Sequence, residues 1–217
     1  MAETDDRGAF EAAFIVSRET SERLACYVEI LKDWNTRHNL VAPATLAEVW
    51  TRHILDSAQM AAFIPENAKT LADLGSGAGF PGLVLALLFE GRLDVSLFEA
   101  THKKCEFLAA AAEKMALKVS IRNERVEDAR PFGYDVVSSR ACAPLPKLLG
   151  YAARCIGPHS ICLFPKGENY RAELTEAQKS WRMTLATHPS QTHKSGVILE
   201  ISQLKPLRLT PRQRQHP

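Results

Sequence analysis

The sequence predicts an α/β protein: a doubly wound, mostly parallel sheet of seven strands behind an N-terminal helical extension. Three observations carry that expectation. From Thr70 onward, short aliphatic and β-branched runs alternate with segments of helical period, the pattern of a sheet covered on both faces. Between the first strand and first helix lies a glycine-rich turn, Gly75-Ser-Gly-Ala-Gly-Phe-Pro-Gly82. The alternation then ends on two consecutive strands, which implies an antiparallel hairpin at one edge.

Residues 1–18 carry charges and small side chains without a period, so a frayed or weakly helical start is expected. From Ser21, the residues Leu24, Tyr27, Val28, Leu31 and Trp34 recur at i, i+3 and i+4. Thr20 or Ser21 can cap this helix, which stops near His38-Asn39 ahead of Pro43. A second helix opens near Thr45, with Glu48 at capping-box spacing, and ends before Pro65. Strands at 70–74, 94–99, 118–122, 134–138 and 159–165 lead into helices at 81–90, 103–116, 126–129 (short), 145–156 and 170–181. Strands near 183–188 and 196–204 close the sheet. The chain thus divides into a helical extension packed on the core (1–66), an α/β domain (67–207) and a basic, mobile tail (208–217).

Composition narrows the function. A formal charge of +2 on 217 residues excludes a polycation, yet Lys205, Arg208, Arg212 and Arg214 form a basic end without acids. Such a local patch fits a nucleic-acid enzyme without demanding one. The five cysteines (Cys26, Cys105, Cys142, Cys155 and Cys162) form no C-x-x-C and are odd in number, which argues against a disulfide framework or a zinc site. No apolar run is long enough to span a bilayer, and Met1 to Asp6 is acidic and polar rather than a signal peptide. A cytoplasmic protein with no membrane partner and no metal is expected, and nothing suggests more than a monomer.

The glycine turn has two readings. From Gly77 it spells G-x-G-x-x-G (Gly77, Gly79, Gly82), which fits a dinucleotide. From Asp73 it spells D-x-G-x-G-x-G, which fits S-adenosylmethionine. A dinucleotide would bring an anionic pyrophosphate toward Asp73, whereas a sulfonium and an ammonium would be attracted to it. A unit charge pair a few Å apart is worth roughly 4 kcal/mol at an effective dielectric near 20. The sign favours the methyl donor.

Ligands of doubly wound sheets bind beyond the carboxyl ends of the strands. Those ends gather Asp73 with the loop from Gly75; Glu99, suited to ribose hydroxyls; Arg125-Val-Glu-Asp128, where Val126 can lie against an adenine; Ser138-Ser-Arg140; and Pro165-Lys-Gly167. Arg140 and Lys166 share one rim, which reads as an anion site. In Arg52-His-Ile-Leu-Asp-Ser57, His53 and Asp56 share a helix face and read as a buried polar cluster pinning that helix to the sheet. Trp34 and Trp50 read as core.

Taken together, Trp34-Asn-x-x-His-Asn-Leu40, Arg52-His-Ile-Leu-Asp-Ser57, Asp73-Leu-Gly-Ser-Gly-Ala-Gly-Phe-Pro-Gly82, Ser139-Arg-Ala-Cys-Ala143 and Pro165-Lys-Gly167 closely resemble the bacterial 16S ribosomal RNA guanine-N7 methyltransferases of the RsmG (GidB) family. The resemblance runs from about Leu24 to Leu204. It implies a Rossmann-like class I methyltransferase fold and S-adenosylmethionine as methyl donor. It implies as substrate the guanine numbered 527 in the 530 loop of 16S rRNA, carried by the small ribosomal subunit. By position it assigns Gly75, Phe80, Val126, Glu127 and Arg140 to the donor, where the glycine turn and strand ends already place Asp73, Gly77 and Glu99; Asn39, Arg52 and Lys166 are the residues expected to meet the RNA. Arg140 and Lys166 are the expected positioning residues of catalysis, and Phe80 is a candidate for stacking on the base. Pro165 departs from the family pattern before Lys-Gly and bears on the aim of Lys166. Rival readings are an NAD-dependent oxidoreductase using Gly77-x-Gly-x-x-Gly82, a small-molecule methyltransferase with the helical N-terminus as a lid, and a non-catalytic ribosome-associated protein.

Overall fold

The computed structural model describes residues 6–130, 132–140 and 142–207. The first five residues and the tail arginines Arg208, Arg212 and Arg214 lie outside them. Seven strands form one sheet in the order β3-β2-β1-β4-β5-β7-β6. These are β1 (Thr70–Leu74), β2 (Asp94–Phe98), β3 (Ser120–Arg122), β4 (Tyr134–Ser138), β5 (Ile156–Lys166), β6 (Trp181–Pro189) and β7 (Val197–Pro206). β1 to β5 run parallel, and β7 pairs antiparallel with both β5 and β6. The strand order reverses between β1 and β4, which opens a crevice at their carboxyl ends. Pro165 sits inside β5, opposite Ile198 of β7, so the strand carries through to Lys166.

Helices α1 (Asp6–Ala13), α2 (Arg18–Asn35), α4 (Gly82–Leu88) and α5 (His102–Lys114) are joined by α6 (Leu145–Cys155) and α7 (Tyr170–Ala177). α2, α4 and α5 share a core with Leu71, Val95 and Leu97 on one sheet face. α6 and α7 pack on the other, against Ala72, Leu74 and Val137. The pleat explains the division, because successive β1 side chains point to opposite faces.

Of the start expected to be frayed or weakly helical, residues 6–13 form the helix α1, which is anchored to the core by a completely buried Phe10. Two expectations are corrected. The second predicted helix is a segment of mixed pitch: a 3-10 turn at Pro43–Glu48, a π-helix at Trp50–Leu55, the α turn α3 (Asp56–Ala58) and a 3-10 turn at Gln59–Phe63. Its capping box does not form, because the Thr45 hydroxyl donates to Ala42 O at 2.7 Å and pairs with His53 Nε2 at 2.8 Å. Instead Asp6 of α1 caps the π-helix, accepting from the Trp50 and Thr51 amides at 2.7 and 3.1 Å. Residues 126–129 form a turn rather than a short helix.

Candidate active site

The glycine loop builds the first wall of the crevice. Gly75 and Gly77 have φ of +66° and +57°, a left-handed conformation that side chains resist. A Cβ on Gly75 would come within 2.7 Å of Cys142 Sγ, whereas one on Gly77 would meet only its own loop, at 3.8 Å. The loop therefore packs tightly below and leaves room above. That room is a crevice of about 450 Å³ lined by Gly77, Glu99, Val126, Glu127, Arg140 and Cys142, among others. Leu40, just past the end of α2, and Tyr151 of α6 close it.

Glu99 stands at the end of β2 and is buried. Its carboxylate accepts from the Gly77 amide at 3.0 Å and the Thr101 amide at 2.7 Å, which fixes it beside the loop. Val126 is buried, and the Glu127 carboxylate accepts from the Tyr151 hydroxyl at 2.7 Å. The Tyr151 contact has no sequence signal, since 24 residues separate the pair.

Asp73 is placed differently from a direct contact. It is fully buried and does not line the crevice. Pleating turns it to the α4 face, alongside Leu71 and opposite Ser138 of β4. Ser138 Oγ donates to Oδ1 at 2.8 Å. Oδ2 has no well-formed hydrogen bond, although the Gly82 amide still helps the charge. Burial pushes the carboxyl up to about 6, and the Ser138, Ser76 and Gly82 groups and Arg140 oppose that rise. A buried carboxylate thus lies beneath the glycine loop.

Phe80 is also corrected as a platform for stacking on a base. Its ring is 3% exposed. His53 stacks on it with centroids 5.0 Å apart, Tyr27 packs at 5.2 Å, and the Arg140 guanidinium lies 5.0 Å from the centroid. These neighbours occupy the ring that a base would need.

Arg140 follows β4 and is held by the π-helix and α3. Its Nη1 donates to His53 Nδ1 at 2.8 Å and to Arg52 O at 3.3 Å, and stands 3.7 Å from Asp56 Oδ2. The His53–Asp56 cluster is present, and it reaches the sheet through this arginine. Burial drives the His53 imidazole down to about 3, reinforced by the charges of Arg140 and Arg52. A neutral His53 accepts at Nδ1 and so donates from Nε2 to Thr45 Oγ1, whose proton goes to Ala42 O. The hydrogen-bond chain runs in one sense and orients the guanidinium.

That chain predicts a pH effect. His53 is at about 3 in the fold and near 6.5 otherwise, so the unfolded chain binds more protons between those values. The stability it contributes is complete above 6.5 and is lost as pH falls through that window. His53→Asn should lower stability by about 1–2 kcal/mol at pH 7. The gap to the wild type should narrow in melts run at successively lower pH; a constant gap would contradict a neutral His53.

A second cavity, of about 700 Å³, lies on the other side of Arg140, against the mixed-pitch segment, the end of β5 and the β6–β7 turn. Lys166 lines it with Arg140, so the two predicted cations do share a rim. The anion-site reading is corrected, because each has a carboxylate. Lys166 Nζ donates to Glu173 Oε2 at 2.8 Å, and Arg140 faces Asp56. Glu173 in turn accepts from the Leu145 amide at 2.6 Å. Arg52 is exposed on the same cavity, with Glu48 at 3.9 Å. Asn39 is exposed and lines neither space.

Among the described residues no helix is long and apolar enough to cross a membrane. Comparison with known proteins agrees with the architecture. Residues 20–201 match the GidB family model, described as rRNA small subunit methyltransferase G. The chain is 48% identical over 197 residues to the ribosomal RNA small subunit methyltransferase G of Rhodospirillum centenum, a match covering 91% of this chain and 90% of that protein. It is 44% identical over 196 residues to the protein of the same name from Paramagnetospirillum magneticum, covering 90% and 95%. Among solved structures, a SAM-dependent methyltransferase from Aquifex aeolicus aligns with a TM-score of 0.58 at 14% identity, over 81% of this chain and 97% of that one. The T. thermophilus 16S rRNA methyltransferase RsmC, solved with AdoMet and guanosine, aligns at 0.52 and 16% identity, over 71% and 40%. At such identities the structural likeness speaks for the fold. The sequence match reaches further: the chain belongs to the rRNA small subunit methyltransferase G family.

Proposed function

We propose that this protein transfers a methyl group from S-adenosyl-L-methionine to N7 of guanine 527, in the 530 loop of 16S ribosomal RNA. Membership of the family supports the substrate class. The observation that carries the chemistry is Arg140, which lines both the glycine-loop crevice and the second cavity and so stands where a donor and an acceptor would meet.

The crevice suits this donor. Its glycine loop leaves room for a ligand against the main chain, Glu99 offers a carboxylate suited to a ribose diol, and Val126 offers an apolar wall for a purine. When bound, S-adenosylmethionine supplies a methyl group on a positively charged sulfur, already activated for displacement. Asp73, beneath the loop, contributes negative charge without touching the ligand. The same charge disfavours a pyrophosphate, which counts against the dinucleotide reading.

Guanine N7 is a lone-pair acceptor without a proton, so its attack needs no base. Its lone pair takes the methyl carbon while the C–S electron pair stays on sulfur, and the purine gains the positive charge. The protein's contribution is alignment, which can be worth roughly 7–11 kcal/mol. Arg140 suits that task. His53 fixes its Nη1, while Nε and Nη2 make no hydrogen bond among the described residues and remain available to guanine O6. The deep groove of paired A-form RNA does not admit side chains, so the target base has to be unpaired or extruded. His53 does not serve as a proton acceptor from substrate, since both its nitrogens are engaged.

Labelled methyl transfer to small ribosomal subunits from cells lacking the activity tests this reading. Incorporation into 16S rRNA is expected. Labelling of a small metabolite with none in RNA would favour the small-molecule alternative.

A further inference from the structure

We propose that the second cavity is the acceptor-base subsite, and that Asp56 selects guanine there by accepting hydrogen bonds from its Watson–Crick edge. The proposal rests on the methyltransferase reading above and deepens it.

Position comes first. The cavity, of about 700 Å³, meets the glycine-loop crevice at Arg140 and is large enough for a nucleotide. Charge comes second. Its cations are balanced by carboxylates: Arg52 by Glu48, Arg140 by Asp56 and Lys166 by Glu173. A bare phosphate would find no surplus positive charge in such a space. A neutral, planar group with both donors and acceptors fits better.

The third observation is the preparation of Asp56. Its Oδ1 accepts from Thr192 Oγ1 at 2.6 Å and from Gln59 Nε2 at 2.9 Å. Gln59 is buried and is itself anchored by the Gln191 amide, which donates to its Oε1 at 2.8 Å. The carboxylate is therefore locked by one oxygen. Its other oxygen, Oδ2, faces the Arg140 guanidinium at 3.7 Å and has no other partner among the described residues. A rigid carboxylate whose second oxygen is held only by that cation suits a ligand with adjacent N–H donors. Guanine presents N1–H and the 2-amino group on one edge, and O6 beside them for a cation such as Arg140. Adenine presents a bare N1 to the carboxylate and would be repelled. N7 lies on the adjoining Hoogsteen edge, beyond O6, and is left free to react.

The test compares small-subunit rRNA carrying guanine or inosine at the target position, since inosine lacks only the 2-amino group. Wild-type kcat/KM is expected to fall roughly 10- to 100-fold on inosine. Asp56→Asn is expected to lose at least about 100-fold on guanine and to treat the two bases nearly alike, with an unchanged circular dichroism spectrum. A structural role would lower both rates together and preserve the wild-type preference, and that result would overturn the proposal. So would a wild-type preference near one. A wild-type protein that transfers nothing to guanine would instead overturn the proposed function, and this subsite with it.

Discussion

Arg140→Ala is expected to lower methyl transfer by about a hundredfold to a thousandfold, the scale seen when one preorganised donor is removed from a reaction centre. The side chain stands between the two cavities, and its orientation is set by neighbours rather than by solvent. Truncation removes the donors that face the acceptor and leaves His53 Nδ1 and Asp56 Oδ2 without their cation. The fold should survive, because Asp56 keeps Thr192 and Gln59, and Phe80 keeps Tyr27. A loss of about 1–3 kcal/mol in stability is expected from the stranded partners. Arg140→Lys should recover little, since one ammonium cannot donate to His53 and also present a planar fork to a ligand. Single-turnover transfer with saturating donor measures the effect. Transfer within a few-fold of wild type in Arg140→Ala would remove this residue from the centre of the account.

Asp73→Asn should weaken S-adenosylmethionine binding more than S-adenosylhomocysteine binding. The two ligands differ by the methyl group and the positive charge it creates on sulfur, so the change in their affinity ratio isolates the charge effect. At separations of roughly 8–16 Å and an effective dielectric near 20, a unit pair is worth about 1–2 kcal/mol, or roughly five- to thirtyfold. The pH dependence follows from the carboxyl at about 6. Above that value Asp73 is charged and the wild type should favour the cationic ligand. As pH falls through it, the preference should shrink toward that of the variant. The linkage to folding has the opposite sense. With a folded value above the ordinary 3.8, the stability that Asp73 contributes is present below 3.8 and is lost as pH rises through about 6. The free protein thus holds an ionised Asp73 at a cost, which a cationic ligand offsets. Calorimetry with both ligands at several pH values decides; an unchanged ratio in Asp73→Asn would separate the carboxylate from donor binding.

Much of the sheet was legible because its signals are local. β1 and β4 fall at the residues that the aliphatic runs mark, and the closing pair is antiparallel as its missing helix implies. The mixed-pitch segment was not legible. Its cap comes from Asp6, 44 residues upstream, and Thr45, read as a cap, turns to His53 instead. No window of sequence carries that information.

The site divides in the same way. The strand-end rule gathered Glu99, Val126, Glu127 and Arg140 around one crevice, because chain topology alone brings strand ends together. The loop motif and charge make Asp73 a donor-binding candidate, whereas the pleat turns it under α4, out of the crevice lining. Phe80 lines the crevice as its place in the loop motif implies, but as a base-stacking platform it fails, because Tyr27, His53 and Arg140 surround its ring. Lys166 looked like a free cation because Glu173 is seven residues away, on the helix after the strand. In each case a tertiary partner decides what the side chain can do, and partner choice is what a single sequence states least clearly.

The proposed reaction methylates one ring nitrogen of one base. Reduction with borohydride followed by aniline cleaves RNA at N7-methylguanosine, so strand scission mapped by primer extension reports both atom and position. Subunits treated with the protein and S-adenosylmethionine should gain a single cut, at guanine 527, absent with Arg140→Ala. Labelled rRNA that resists scission, or is cut at another guanine, would contradict the account.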